Sequence, residues 1–458
     1  MSSSTSIGNN SITVLSNGNI GIGVTNPTSA FVVSGDMEIQ GSLTSASFSQ
    51  SGPYTTNKNG FISWVQGVTS DASANWWCKA STLQFNELTF AGTTLDGSVG
   101  TATKYSGCVL IPDGRVVFVP YSSNKLGIYD PINNTFTEST YTGTSLDGVT
   151  VSANKYIGGV LMPDGRVIFA PYASTKIGIY NPVSNTFTET ASSPTNWLTG
   201  SKKFWGGVLV PDGRIIFNTY YYLYLGTYTP STNTFTQTFV PNSILANQSL
   251  DEVFAGGVLL PDGRVVFVPF SYSKLCVYNP VSGTLTESIF AGTALTGEYG
   301  GASYVSRKYA GGVLLPDGRV VFVPYNMKKL GIYNPNTETY TETAYNIATT
   351  GASLNGVTTS ATKYSGGVLL PDGNVCFIPY SSSNKLGIYN PTADTFTETT
   401  YANTSLNGSG TTIKYAGGIL LPDGRVLFVP YNSNKLGILS GFPPVPKERC
   451  LHPAFNKL

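Results

Sequence analysis

Seven copies of an apolar run closed by Pro-Asp-Gly constrain this chain more than any other feature, with the prolines at Pro112, Pro163, Pro211, Pro261, Pro316, Pro371 and Pro422. Successive spacings are 51, 48, 50, 55, 55 and 51 residues. A period near 50 with turn signals at fixed offsets marks a repeat architecture, in which each unit buries its apolar faces on its neighbours. The run KYSGGVLLPDGNVCFIPYSSSNKLGIYNPTADTFTETT, residues 363–400, shows the unit complete.

Four strands are legible in each unit. Strand A is KYSGGVLLP, and an Asp-Gly turn that favours a tight hairpin joins it to strand B, RVVFVPY at Arg115–Tyr121. Strand C is KLGIYNP, and an Asn-Pro turn joins it to strand D, TFTET at Thr186–Thr190. Val116 to Val119 are apolar at every position, so strand B is expected to be covered on both faces, as in blades stacked face to face. The seventh unit ends after strand C at Leu439 with no TFTET behind it. Its missing strand lies at the front: Thr82–Gly97, TLQFNELTFAGTTLDG, aligns with TFTESTYTGTSLDG at an offset of 51, placing Phe85 on Phe136 and Glu87 on Glu138. The expected fold is therefore all-β: a seven-bladed propeller of four-stranded blades whose last blade is closed by an N-terminal strand, leaving no open edge.

The organisation that follows is a β-rich N-terminal segment over 1–50, a connector over 51–82 carrying Trp64, Trp76 and Trp77, the propeller over 83–439 and a tail over 440–458. A charged fraction of 11% with 51 glycines suits short strands and tight turns. The net charge of +1 gives no global excess that would call for nucleic acid. The start, MSSSTSIGNNSITV, has neither a basic nor an apolar signal region and no run approaches a membrane span, so neither a signal peptide nor membrane insertion is expected. Cys108, Cys276 and Cys376 stand where other copies have small residues, which points to buried thiols rather than a disulfide framework.

Because strands alternate in direction, the B–C and D–A connections share one face, called the top here. Strand A begins there with a lysine in six copies, Lys104, Lys155, Lys203, Lys308, Lys363 and Lys414, Val253 being the exception. Six converging cations need neutralising, either by loop acids such as Asp96, Asp147 and Asp251 or by an anionic ligand, so this lysine ring is the candidate binding site. The strand-C lysines Lys125, Lys176, Lys274, Lys329, Lys385 and Lys435 each accompany a strand-D glutamate, and the third copy has lost both, carrying Tyr224 and Gln237. Paired presence and paired loss predict a cross-strand ion pair. The turn arginines are expected to pair with a neighbouring carboxylate or carbonyl, and the shared D–A leucines, such as Leu95 and Leu146, to peg that loop onto the blade.

The order of parts resembles the kelch repeat and the propeller of galactose-oxidase-like proteins, although Val-Pro-Tyr at Val119–Tyr121 replaces the kelch glycine pair and Phe136 replaces its tryptophan. The stretch GNIGIGVTNPTSAFVVSGD resembles sequences of trimeric fibres and appendages of phages, large viruses and some bacteria. The regularity of the copies is also similar to that of propeller proteins of giant viruses. These resemblances imply a structural or attachment protein of a virion or surface appendage, partnered by other virion or appendage proteins and by a host glycan or protein, with a homotrimer through residues 1–82. A propeller lectin and a kelch-type intracellular scaffold are the alternatives. With the single histidine, His452, in the tail, no metal cluster, no catalytic triad and no nucleotide motif, neither an enzymatic activity nor a cofactor is expected.

Overall fold

The computed structural model describes four N-terminal strands between residues 3 and 33, and residues 82–98, 103–149, 154–190, 202–220, 224–239, 252–293, 295, 307–345, 354, 362–381, 384–407 and 413–445. The chain divides into two compact units, Met1–Ser45 and Ala46–Leu458. In the first, Ser3–Ile7, Asn10–Val14, Ile20–Ile22 and Phe31–Val33 form one sheet in chain order, its last pair parallel. The tryptophan-bearing connector lies outside the described residues.

The second unit holds seven four-stranded sheets, each ordered A-B-C-D and antiparallel throughout. Blade one comprises Tyr105–Leu110, Val116–Pro120, Leu126–Asp130 and Thr135–Ser139. Every residue of its A and B strands is buried, because the next blade covers the face that a solvated sheet would leave wet. Closure is as the sequence implied. Gln84–Leu88 pairs with Leu436–Ser440, setting Glu87 opposite Gly437 and Phe85 opposite Leu439, the register that Glu138 and Phe136 take in blade one. Just beyond Ser440 the chain folds back over the A–B turn of blade seven, where the Val445 amide donates to the Pro422 carbonyl at 2.8 Å.

Strand A is bulged at the same place in all seven blades: in blade one, Tyr105 pairs with Pro120 but Cys108 with Phe118. The bulge carries a glycine with positive φ, from Gly107 to Gly417, a conformation that L side chains rarely adopt. The residue before it is thereby aimed at the central channel, which is lined by Ser106, Ile157, Trp205, Ala255, Ala310 and Ser365 among others. The glycine of strand C serves a different end. A Cβ on Gly127 would stand 2.7 Å from the Tyr105 hydroxyl, so its absence lets that hydroxyl cross the sheet to strand D.

Of the remaining expectations, Cys108, Cys276 and Cys376 are free and buried. The leucine pegs Leu95, Leu146, Leu295, Leu354 and Leu406 are fully buried; Leu198 and Leu250 lie outside the described residues. Each turn arginine pairs with its own turn aspartate at 2.6–2.7 Å. Four of them also reach across to the C–D turn of the following blade, Arg425 closing the circle on the Pro131 carbonyl at 2.9 Å.

Candidate functional site

The top end of the channel is encircled by a ring of seven aromatics, one from the end of each strand B: Tyr121, Tyr172, Tyr220, Phe270, Tyr325, Tyr380 and Tyr431. Each ring touches the next, with centroid separations of 5.3–6.0 Å running once round the axis. The same residues carry a belt of backbone hydrogen bonds. The amide that opens each strand A donates to the aromatic residue's carbonyl in the preceding blade, as Lys155 does to Tyr121 at 2.6 Å and Lys104 to Tyr431 at 2.7 Å. The space below the ring is small, about 70 Å³, enough for a few waters.

Five of the six strand-A lysines are buried and Lys414 is half-buried, and their amines turn sideways, five of them onto carbonyls of the preceding blade's B–C loop. Lys155 Nζ lies 3.0 Å from the Ser123 oxygen, Lys308 Nζ 3.1 Å from that of Ser271 and Lys363 Nζ 3.2 Å from that of Asn326. Lys104 reaches the Ser433 carbonyl at 3.2 Å, and Lys203 that of Ala173 at 3.1 Å. Lys414 departs slightly, donating to the Ser405 carbonyl at 2.8 Å and to Asn384 Oδ1 at 3.2 Å. Burial lowers the amines of Lys155, Lys203, Lys308 and Lys363 to about 8, and those of Lys104 and Lys414 in the same direction. Each lysine thus bridges two blades through carbonyl dipoles. Of the loop acids, Asp96 acts on Lys104 and Asp147 on Lys155 through their charge, and Asp251 lies outside the described residues.

Four of the six strand-C lysines meet their strand-D glutamates, Lys274 with Glu287 at 2.6 Å, Lys176 with Glu189 at 3.5 Å, Lys435 with Glu87 at 3.7 Å and Lys385 with Glu398 at 4.0 Å. The glutamate has closer partners that the sequence pattern did not reveal. The strand-A tyrosine donates to it, Tyr105 to Glu138 at 2.8 Å and Tyr364 to Glu398 at 2.6 Å. The incoming D–A loop adds a hydroxyl, Thr94 to Glu138 at 2.5 Å and Ser145 to Glu189 at 2.5 Å. Blade three lacks this network altogether, since Phe204 replaces the tyrosine as well, and Gln237 Nε2 is buried without a partner. Blade four solves the same problem differently. Cys276 fills the place of the strand-C glycine, Phe254 omits the hydroxyl that would collide with it, and Tyr272 from the B–C loop supplies a hydroxyl to Glu287 instead.

Blades three to five also break the ring's symmetry at its surface. The residue before the ring lysine is Thr103, Asn154, Thr362 or Ile413 in four blades, but Lys202, Glu252 and Arg307 in three consecutive ones. All three take positive φ, 76°, 63° and 68°, an uncommon choice for long side chains. Arg307 clamps Glu252 through Nε at 2.6 Å and Nη2 at 3.0 Å, and Lys202 Nζ approaches the same carboxylate at 3.4 Å. Burial pushes the Glu252 carboxyl up, but Arg307, the Tyr220 hydroxyl and Lys202 together hold it below the usual value. Beneath this cluster Trp205 packs on Tyr220 at 4.6 Å and on Phe270 at 5.6 Å.

Charge is distributed unevenly between the faces. Within residues 83–445 the top connections and adjoining strand ends hold fifteen basic residues against eleven acidic ones, counting Asp251 and Glu298 of the D–A connections. The bottom turns hold six against ten. A propeller of zero net charge is therefore polarised, about four charges positive above and four negative below. Among the described residues no group of histidine, cysteine and carboxylate is placed to hold a metal.

No protein-family model and no curated protein matches the chain. Solved structures similar to it are propellers: a streptogramin B lyase, 18% identical over 78% of this chain and 97% of that one, TM-score 0.56; virginiamycin B lyase from Staphylococcus aureus, 16% identical over 78% and 99%, TM-score 0.55; and the extracellular domain of a one component system from B. thetaiotaomicron, 12% identical over 78% and 39%, TM-score 0.53. At these identities the likeness is one of fold. It corrects the expectation that the chain is not an enzyme: the premise that a repetitive propeller argues against catalysis is overturned by lyases that share the fold. A catalytically inactive form of the staphylococcal lyase, solved with quinupristin, carries alanine in place of a histidine; the single histidine of this chain, His452, lies outside the described residues. The seven-bladed, four-stranded propeller is the common ground between this chain and these structures, and it is the class to which the chain's fold belongs.

Proposed function

We propose that this chain is an attachment or display protein of a virion or surface appendage, whose propeller takes a protein or glycan partner on its top face. The observation that carries this reading is the polarity of the propeller. Residue 82 lies beside Gly441 at the bottom edge of blade seven, and Val445 lies against the bottom turn of that blade, so the described propeller begins and ends at the bottom. In this reading the partner takes the opposite, top face. That face carries the positive excess and the one break in the ring's symmetry, which is what a partner needs in order to bind in one orientation.

The resemblance of residues 18–36 to fibre sequences supports an N-terminal unit that assembles, and the kelch-like order of strands supports a face used for binding. Two measurements test the reading together. Light scattering on the full chain should give a trimer, and removal of residues 1–50 should return it to a monomer that still binds. A full chain that is monomeric at micromolar concentration, or one whose partner binding is lost on bottom-turn rather than top-face changes, would overturn it.

A further inference from the structure

The break in symmetry has the chemistry of a specific subsite. Lys202 and Arg307 converge on a single carboxylate, and both lie against the same oxygen, Glu252 Oε1, at 3.4 and 3.0 Å. The carboxylate is sunk, its side chain 11% exposed, while the cations stand above it at 41% and 46%. Solvent therefore meets two cations over one buried anion. Arg307 has spent Nε and one Nη2 hydrogen on Glu252, and its Nη1 donors stay available for a second, outer oxyanion. Val253 occupies the ring-lysine position of that blade, so the cluster sits where the lysine circle is interrupted. The Arg307 backbone is fixed by its amide bond to Ser271 Oγ at 3.3 Å, and the aromatic ring beneath gives the cluster a rigid floor.

We infer that Lys202 and Arg307, oriented by Glu252, form an oxyanion subsite over blades three to five that binds the sulfate or carboxylate groups of an acidic glycan. This rests on the top-face reading above and narrows it to one ligand class and one place on the face. An acidic glycan fits the surface better than a small anion alone, because the positive excess extends round the whole face while the subsite fixes only one of its groups.

Calorimetric titration of the full chain at physiological salt tests this, with a heparin oligosaccharide, an oligogalacturonate, a neutral malto-oligosaccharide of matched length and polyglutamate as a non-glycan polyanion. The acidic probes should bind and the neutral one should not, the sulfate-to-carboxylate ratio telling which oxyanion is preferred. Arg307→Ala and Lys202→Ala should each weaken binding about tenfold, and Arg307→Lys by a smaller factor, as the planar fork is lost but the charge kept. The pair Lys125→Ala with Lys176→Ala, which removes as much charge elsewhere on the face, should change affinity less than about twofold. Glu252→Gln should weaken binding of the acidic probes, because the two cations lose the carboxylate that orients them, whereas a purely structural cluster would show only a lower melting temperature. Equal weakening by the Lys125/Lys176 pair would overturn the subsite and leave the top-face reading standing. Binding insensitive to every top-face change would overturn both. Binding of polyglutamate but of neither acidic oligosaccharide, or of no probe at all, would overturn the glycan assignment.

Discussion

Blade seven is assembled from the two ends of the chain and keeps its polar network whole, whereas blade three is one continuous segment and has discarded it. In blade seven the Tyr415 hydroxyl donates to Glu87 at 2.7 Å, the Ser405 amide at 3.3 Å, and Lys435 lies 3.7 Å away. In blade three Phe204, Tyr224 and Gln237 hold the same three positions. The difference teaches what the network does. Hairpin turns already set the register of a continuous blade, so blade three holds by apolar packing although the continuous blades one, two and six keep the network; a strand arriving across some 350 residues has no such turn, and a slip by one residue would turn Phe85 out of the core.

Deleting residues 1–90 should break the comparison most severely, leaving blade seven with an open edge. The expected outcome is an aggregating chain without a cooperative melt; a soluble, cooperatively unfolding truncation would disprove the closure argument. Glu87→Ala should come next, costing about 3–4 kcal/mol in chemical denaturation against about 2–3 for Glu398→Ala in a continuous blade, since both strand a buried tyrosine hydroxyl but only the first also anchors a non-contiguous strand. Equal losses would show that the network has no special part in closure. Gln237→Leu in blade three should lie within about 1 kcal/mol of neutral and on the stabilising side, because it removes a buried amide nitrogen that has no partner.

A smaller effect is expected from pH. Lys155, Lys203, Lys308 and Lys363 titrate at about 8 in the folded chain against 10.5 unfolded, with burial the leading cause. Below pH 8 they are charged in both states and the cost of burying them is fully present. Between about 8 and 10.5 the unfolded chain binds more protons, so stability rises with pH. Above about 10 the unfolded tyrosines ionise while burial keeps the folded ones neutral, and stability falls. Calorimetric melting temperatures should therefore pass through a maximum on the alkaline side, and Lys363→Met should flatten the rise. A melting temperature that declines steadily from pH 7.5 would contradict the burial of these amines.

Much of this molecule was legible beforehand, and the parts that were not share a cause. Blade number, hairpin positions and the borrowed strand follow from a 50-residue period, Asp-Gly turns and the offset match of Phe85 with Phe136, all of which are written in local residues. The strand-D glutamate was correctly tied to the strand-C lysine, yet its nearer partners, Tyr105 or Thr94, were missed. The signal was present, since Phe204 and Phe254 break the tyrosine pattern in blades three and four, but the significance of a lost hydroxyl shows only once the strand-C glycine has opened its path. The ring lysines were placed on the right face, but which way their amines turn is a matter of side-chain direction that no period records.

The sequence alone determined a closed seven-bladed ring, because each unit cannot bury its faces alone and the seventh lacks the strand that the front of the chain supplies. Only the tertiary structure decided the aromatic ring, the lysine bridges and the Lys202–Glu252–Arg307 cluster. Their partners sit in neighbouring blades, from 30 residues apart along the chain to 329 where blade seven meets blade one, and they become neighbours only when the blades converge on one axis.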